Sequence, residues 1–339
     1  LVVLDKATDA AGVARVEGLK EAWRQHCREA ADSVGTSDDS ARFEVVLAND
    51  DDTYADSRLH SFGQVGVLAS RNVVRLVRDK LAFRAAIFQT LFISLIVGLI
   101  YLQLDLNQTG IQNFVGAFFF TVVNQTFSAA NPTLITVPME LPIVIREYRA
   151  GLYHLVSWYL SKNVSEIPMQ ILLPIVFFVP VFLLVGIGHG FDTYLYMQLI
   201  MILVNSCAVG LGYMVSCLCR RVDIAPIIGV VIILPFLLFG GLLINSDNCP
   251  DYFVWIQYIS PIKYGFEALM KIYWRQIDEI PCNETLENCV ARSGKQVLQN
   301  FSMVRRSAFA DAMILLAINV GFRSVGFFGL WLNLRRNSQ

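Results

Sequence analysis

The sequence has few charged residues and few histidines. Asp, Glu, Lys and Arg make up 16% of the 339 residues, against about 25% in an ordinary soluble domain. This shortage excludes a disordered chain, a nucleic-acid-binding protein and a water-soluble enzyme. The four histidines are scattered, and none has a cysteine or carboxylate partner at metal-ligand spacing. We therefore predict no metal site.

Motifs of common catalytic and nucleotide sites are missing as well. There is no GxSxG, no HExxH and no GxxxxGK[ST], which argues against a hydrolase, a zinc protease and a phosphate-binding loop in this chain. No apolar stretch carries the paired carboxylates and histidine of a proton relay. We expect neither catalysis by this chain alone nor a charge-lined ion pathway.

Hydrophobic residues, in contrast, make up 55% of the sequence. They fall into six stretches, and each is close to the roughly 20 residues that a membrane-spanning helix needs. A soluble core of this size has no room for six such helices, so we predict an all-α membrane protein with six spans. The stretches are Ala85–Leu104, Ile111–Val137, Ile167–Ile187, Thr193–Leu218, Ile224–Ile244 and Ala308–Leu334.

The positions of Lys and Arg predict the orientation of these spans. Basic residues precede the first span and occur between spans two and three, between spans four and five, and after span six. The alternate loops 105–110 and 188–192 have none. Because short cytosolic loops are enriched in Lys and Arg, we expect a multi-pass plasma-membrane protein with both termini cytosolic and a large outer segment over residues 245–307.

Two features fit this outer side. The Asn-x-Ser/Thr sequons at Asn107, Asn283 and Asn300 fall there and are candidates for glycosylation. Cys282 and Cys289 lie seven residues apart in the same oxidising environment, and a disulfide between them is plausible.

The segments assigned to the cytosolic side differ in character. Residues 1–61 are acidic and read as a solvated helix followed by a linker. Residues 62–84 place arginines at three- and four-residue spacing beside apolar positions, which predicts an amphipathic helix at the membrane surface. The stretch 140–166 is too polar for hydrocarbon and too long for a tight turn. It forms either a rigid contact surface below the membrane or a plain interfacial helix.

A few polar residues lie within the spans. Asp311 is expected to reach water at the outer end of the sixth span, and Arg323 to pair inside the bundle or to extend towards the interface. Phe120, Asn124 and Phe127 follow i, i+4, i+7 spacing and share a helix face. That face could stack a flat apolar molecule, or its rings could face lipid while Asn124 bonds to a neighbouring helix.

Several strings resemble the G (White) subfamily of ABC transporters. The most specific is Tyr258–Ala268, YISPIKYGFEA, because its order and spacing are distinctive of that subfamily. The resemblance extends from about Phe62 to the C-terminus. The other strings are Asn124–Ser128, Arg146–Tyr153 with Ser161, Lys162 and Pro168, and Gly241–Asn245.

The resemblance implies a half-transporter. Its membrane domain, residues 85–339, would be of the ABC-2 or type V exporter type, with an amphipathic connecting helix over residues 62–84 and a re-entrant outer segment over residues 248–274. It would work as a homo- or heterodimer in contact with membrane lipids. ATP and Mg would bind to an ABC ATPase domain supplied in cis or in trans, and residues 1–61 are expected to follow such a domain, missing from this sequence.

The resemblance also assigns roles to particular residues. A substrate cavity at the dimer axis would be lined by one set, a plug above it would be formed by a second, and a third would couple ATP-driven closure to the spans. The sets are Phe120, Asn124, Phe127, Val230, Leu234 and Leu237 for the cavity, Leu242 and Leu243 for the plug, and Arg146, Glu147, Arg149 and Glu166 for coupling. The family's multidrug exporter has a hydroxyl residue at the position of Val230, so its cargo preference does not carry over.

These features together predict the membrane-spanning half of an ATP-driven exporter of lipid, sterol or other amphiphilic and xenobiotic molecules. One alternative is an ABC-2 type permease subunit that uses a separate ATPase chain to export a polysaccharide or lipid precursor. A membrane receptor or channel is a third class, and the lack of charged pore rings argues against it.

Overall fold

Every regular element among the described residues of the computed structural model is a helix. The prediction of an all-α membrane domain is therefore confirmed for that part of the chain. The interpretation of residues 1–60 as an acidic linker and the sequon at Asn283 lie outside it. The described residues are 61–188, 190–219, 221–244, 251–282, 289–304 and 306–336.

The first two helices meet at Asp79. Helix α1 covers Ser61–Arg78, and α2 covers Lys80–Ile100. The Asp79 side chain accepts a hydrogen bond of 3.1 Å from the backbone N–H of Ala82, which caps the start of α2. The prediction of one amphipathic helix over residues 62–84 is therefore wrong at its end, because the cap assigns residues 80–84 to the next helix.

The next two helices form a long hairpin. Helix α3 covers Gln108–Arg149 and contains three prolines, and α4 covers Leu155–Val185. The chain turns between them through Gly151, whose φ of 72° favours glycine. At about 1.5 Å per residue α3 is about 63 Å long, roughly twice the thickness of a bilayer core. Its C-terminal part therefore extends beyond the hydrocarbon.

This hairpin corrects two expectations. Residues 140–166 were expected to form either a rigid contact surface below the membrane or a plain interfacial helix, whereas they form the last part of α3, a turn over residues 150–154 and the first part of α4. The family resemblance also implies a coupling helix at Arg146–Tyr153, and this stretch is instead the last turn of α3 followed by a turn. The charged residues in this stretch extend the spans as helices, because they pair across helices as described below.

The remaining long helices complete the bundle. Helix α5 covers Phe191–Cys219, α6 covers Ala225–Leu238 and α10 covers Ala308–Arg336. Helix α5 is the central one: 72% of its most apolar 18-residue stretch is buried, and it packs against α3 and α10. A Cβ atom at Gly212 would lie 2.8 Å from the Cβ of Thr133, so the glycine permits the close approach of α5 to α3.

Four of the described helices, α2, α4, α5 and α10, are long and apolar enough to cross a membrane. Helix α6 is apolar but has only 14 residues. Helix α3 has the length to span, but its prolines and amide side chains lower its mean hydropathy. The count of six spans remains a prediction.

A second group of short helices follows α6. A 3-10 turn at Asp251–Phe253 leads into α7, Val254–Ile259, then α8, Pro261–Trp274, and later α9, Gly294–Asn300. Ser260 separates α7 from α8, and its hydroxyl accepts a hydrogen bond from the backbone N–H of Lys263. Most of α8 is buried against α3, α5 and α10, so this segment is part of the bundle core.

Candidate functional site

The three residues predicted on the α3 face are all partly accessible. Phe120 is 46% exposed, while Asn124 and Phe127 are half-buried. The Phe127 ring packs against the main apolar core. The face therefore begins at the core boundary and continues onto the surface of this chain.

The residues of α6 that are predicted to line the cavity lie beside the part of α3 that carries Phe120, Asn124 and Phe127. A Cβ atom at Gly229 would touch Leu134 of α3, and one at Gly240 would lie 2.9 Å from the Phe119 ring. Helix α6 therefore runs antiparallel to the part of α3 that carries the predicted face. Val230 and Leu234 are exposed, and Leu237 is half-buried against the core. The two predicted halves of the cavity thus lie on adjacent helices.

The two plug residues follow α6 in an irregular turn. Gly241 has a φ of 97°, a conformation that favours glycine. Leu242 packs against the core, and Leu243 is exposed. The turn therefore presents one of the two leucines to the surface. The accessible residues predicted on the two helices are called the α3–α6 face below: Phe120, Asn124, Phe127, Val230, Leu234 and Leu237.

Ion pairs join α1 to the α3–α4 hairpin near its turn. Glu140 of α3 pairs with Arg75 of α1 and accepts a hydrogen bond of 3.0 Å from Lys162 Nζ of α4. Lys162 also lies 3.3 Å from the Glu166 carboxylate. This end of the bundle is called the basic end below, after the arginines of α1 and of the last turn of α3.

Glu147 forms a second link at the basic end. Its Oε2 accepts a 2.8 Å hydrogen bond from the Tyr153 hydroxyl and lies 3.5 Å from Arg71 Nη2. Burial, and then the hydrogen bond to Glu147 and its charge, raise the pKa of Tyr153 well above its usual value, so the phenol remains a donor. Arg146 and Arg149 are exposed at the end of α3.

The structure thus places Glu147 and Glu166, both predicted for coupling, in contacts with neighbouring residues. Glu140 and Lys162 hold the same arrangement together and were not among the residues proposed for coupling. The i, i+4 spacing of Lys162 and Glu166 was the available signal in the sequence.

Arg323 of α10 is the centre of a polar layer inside the bundle. Its guanidinium donates to Asn163 of α4, to the Ser206 hydroxyl of α5 at 3.1 Å, and to Asn319 of its own helix at 2.9 Å. Gln170 Oε1 accepts from Arg323 at 3.3 Å. The guanidinium therefore pairs inside the bundle, the first of its two expected arrangements.

A buried ion triad holds α8 against α10. Lys271 Nζ lies 2.7 Å from Glu267 Oε1 and 2.7 Å from Asp311 Oδ2, and the Lys271 and Asp311 side chains are fully buried. The expectation that Asp311 reaches water is wrong, because its carboxylate is buried and pairs with Lys271. That partner lies 40 residues earlier in the chain, so the local sequence did not reveal it. Lys271 and Glu267 were not predicted from the sequence, although their i, i+4 spacing in an apolar helix is a recognisable signal.

The modification candidates lie at the end of α3 opposite the basic end. Asn107 is exposed and caps α3, and Asn300 is exposed at the end of α9. Gln108 donates a 2.9 Å hydrogen bond to the carbonyl of Ala291, which brings the start of α3 beside the chain after Cys289. Cys282 and Cys289 form a disulfide. The described residues contain no group of three or more His, Cys, Asp or Glu that could hold a metal ion.

Comparison with known proteins matches residues 63–274 to the ABC-2 type transporter family. The chain is 30% identical over 277 residues to Protein white of Ceratitis capitata, covering 81% of this chain and 41% of that protein. It is 29% identical over 275 residues to the ABC transporter ATP-binding protein/permease wht-1 of Caenorhabditis elegans, covering 79% and 41%.

A third relative is the broad substrate specificity ATP-binding cassette transporter ABCG2 of Bos taurus, 29% identical over 64% of this chain and 33% of its own length. The chain thus spans at most about two fifths of these relatives. The family match extends from α1 through α8, the segment that holds the α3–α6 face and the links at the basic end. The chain belongs to the ABC-2 type transporter family and, within it, to the White (G) subfamily of ABC transporters.

Proposed function

We propose that this chain is the membrane-spanning half of an ATP-driven exporter of lipid, sterol or xenobiotic amphiphiles. Two halves, identical or different, would face each other across the α3–α6 face. The observation that carries the proposal is the position of aromatic, aliphatic and amide side chains on two adjacent helices, accessible and at the same height. A cavity of this composition suits a molecule that is mostly apolar with a few polar atoms.

Each side chain then has a distinct task. The rings of Phe120 and Phe127 would stack against a flat apolar cargo, and the Asn124 amide would supply a hydrogen bond. Val230, Leu234 and Leu237 would form the apolar wall opposite. Closure at the basic end would push the cargo past the constriction that Leu242 and Leu243 form.

The links at the basic end supply a route for coupling. The α3–α4 hairpin extends beyond the hydrocarbon, and α1 is tied to it through Glu140 and Glu147. Pressure on this hairpin from below would therefore reach α1, α3 and α4 together. Arg146 and Arg149 project from its end and would contact the ATPase domain, and Glu166 would hold Lys162 in place.

The motor is proposed to be an ABC ATPase domain, in cis or in trans. This chain has no phosphate-binding loop, so ATP and Mg would bind to that domain and supply the free energy of transport through hydrolysis. The printed name of the relative from Caenorhabditis elegans, ATP-binding protein/permease, supports this pairing.

We further propose that the protein lies in the plasma membrane with the basic end and both termini in the cytosol. The arginines of α1 and of the last turn of α3 lie at the opposite end of α3 from the disulfide and from the exposed Asn107 and Asn300, which supports this orientation. Asn107, Asn283 and Asn300 would then be accessible to glycosylation outside.

The test is cargo-stimulated ATP hydrolysis by the complete transporter in lipid nanodiscs. We expect Phe127→Ala to lower the stimulation severalfold at unchanged surface expression, because a buried aromatic contact contributes about 0.5–1.5 kcal/mol beyond its area. Phe328→Ala is the matched control, since Phe328 is 56% exposed on α10, outside the α3–α6 face. Stimulation equal to wild type in Phe127→Ala would remove this residue from the cargo site.

A further inference from the structure

The junction of α1 and α2 carries three cations that the bundle does not neutralise. The side chains of Arg78, Lys80 and Arg84 are exposed, and they have neither an ion pair nor a hydrogen bond in the described part of the chain. In contrast, Arg71 and Arg75 of the same segment pair with carboxylates of α3. The three unpaired residues are called the free cations below.

The charge at this junction is unbalanced. Asp79 is the one carboxylate between Arg78 and Arg84, and it caps α2 by accepting from the backbone N–H of Ala82. Three cations and one carboxylate leave two positive charges. Lys80 and Arg84 also stand at the N-terminal end of α2, where the helix dipole favours an anion over a cation. The junction is therefore complementary to a negatively charged group.

The nearby carboxylates of the basic end lie on another side of α2. Glu140 and Glu166 line a cavity of about 370 Å³ together with Ala82 and Phe83 of α2, and none of the free cations belongs to that lining. The anion that would balance the free cations must therefore approach from outside the bundle.

The exposed face of α2 shows where it would come from. Lys80 and Arg84 share one face of the helix with Phe88, Leu91 and Leu95, at i, i+4, i+8, i+11 and i+15, and all five are exposed. Only 17% of the most apolar 18-residue stretch of α2 is buried, so this face meets the bilayer. From Arg84 to Leu95 it is about 16 Å long, roughly the depth of one leaflet.

We propose that the free cations and this face of α2 bind a phospholipid with a net negative headgroup, in the leaflet at the basic end. Lys80 and Arg84 contact the lipid phosphate, Arg78 contacts the second acidic group of the headgroup, and one acyl chain lies along the apolar part of the face. A zwitterionic phosphocholine headgroup brings its own cation and leaves the two positive charges unbalanced. The orientation proposed above makes this the cytosolic leaflet, and the site is separate from the α3–α6 face.

The experiment uses the complete transporter in phosphatidylcholine nanodiscs, without nucleotide. The probes are phosphatidylserine and phosphatidylcholine that carry the same photoactivatable acyl chain and differ only in the headgroup, and labelled peptides are mapped by mass spectrometry. On the segment of α2 that contains Phe88 and Leu91, we expect the serine probe to label about tenfold more than the choline probe. Excess unlabelled phosphatidylserine should suppress this label.

Variants of the free cations test the assignment. Each cation near an anionic membrane surface contributes about fivefold in affinity, so Arg84→Gln should lower the ratio of the two labels about fivefold. Lys80→Gln combined with Arg84→Gln should bring the ratio close to one. The exchange Lys80→Arg with Arg84→Lys keeps both charges and should keep the ratio. Arg335→Gln is the matched control, because Arg335 is an exposed cation at the same end of the bundle on α10.

Equal labelling by the two probes, or a wild-type ratio in the double glutamine variant, would overturn the proposal. So would a lower ATP hydrolysis rate of that variant in pure phosphatidylcholine, which would assign the cations to a contact with the ATPase domain. If the variant fails to fold, salt decides on the wild type: from about 0.05 to about 0.5 M NaCl the ratio should fall severalfold, and a constant ratio would contradict a charge-selected lipid. Labelling needs neither ATP nor cargo, so its failure leaves the proposed export activity untouched.

Discussion

The Lys271 triad permits a direct test of how charge is balanced inside the bundle. Lys271 is fully buried and holds two carboxylates, each 2.7 Å from its ammonium group. Lys271→Met preserves most of the side-chain volume but leaves Glu267 and Asp311 buried without a cation. Removal of one partner from a buried ion pair costs about 3–5 kcal/mol, and here two negative charges remain together.

Asp311→Asn changes the same triad but removes a negative charge, whereas Lys271→Met removes the positive charge. The triad carries one excess negative charge, so this substitution leaves a neutral Lys271–Glu267 pair and retains an oxygen for Lys271. We expect a cost of about 1 kcal/mol, the net value of one hydrogen bond. The contrast between the two variants follows from charge and not from volume.

The assay is thermal unfolding of the purified protein in detergent, followed by tryptophan fluorescence. A cost of 3–5 kcal/mol corresponds to a lower midpoint by about 10 °C, and the Asp311→Asn shift should be about 3 °C. Combining Lys271→Met with Glu267→Gln and Asp311→Asn removes all three charges and should recover most of the loss. Equal shifts for the two single variants, or no recovery in the triple variant, would refute the electrostatic reasoning.

Three further predictions concern the two ends of α3. Glu147→Gln removes the charge that faces Arg71 and should lower the amount of cargo moved per ATP hydrolysed in the complete transporter; an unchanged ratio would exclude Glu147 from coupling. Since the folded-state pKa of Tyr153 is raised above its unfolded value of 10.0, the contribution of Tyr153 to stability should be constant below about pH 10 and fall above it, where only the unfolded phenol loses its proton. In Tyr153→Phe, unfolding midpoints measured against pH should fall less steeply, and identical slopes would contradict this. Replacing Cys282 and Cys289 together by serine should cost about 2–3 kcal/mol because the bridge closes a short loop; an unaltered unfolding midpoint would count against that value.

Hydropathy and residue spacing predicted much of the fold because they report local properties. An apolar run of 20 residues has few alternatives to a helix. The three- and four-residue spacing of the arginines in α1 shows that this helix is amphipathic, whichever residues they contact in the folded protein. The break at Asp79 was missed because a cap depends on one side-chain hydrogen bond, which a smooth hydropathy pattern does not show.

Residues 140–166 and Asp311 both hold charges whose partners lie far away in the sequence. At Asp311 the charge was expected to reach water, whereas the structure satisfies it with a distant partner. Lys162 neutralises Glu140 from 22 residues away, and Lys271 neutralises Asp311 from 40 residues away. Such pairs depend on which helices become neighbours, and a single sequence does not contain that information in local form.

The same pairs explain how the helices find their positions. In a bilayer the hydrophobic effect does not select one helix–helix contact over another, since lipid tails are as apolar as leucine side chains. Specificity must come from small residues and polar contacts, and the bundle uses both: Gly212 fits against α3, and Gln125 of α3 donates a 2.7 Å hydrogen bond to Asn205 of α5. Asn205 in turn donates to the backbone carbonyl of Gln170 on α4. Helices α3, α4 and α5 are therefore joined by a chain of buried polar contacts. We accordingly expect a displacement of the α3–α4 hairpin to move α5 with it.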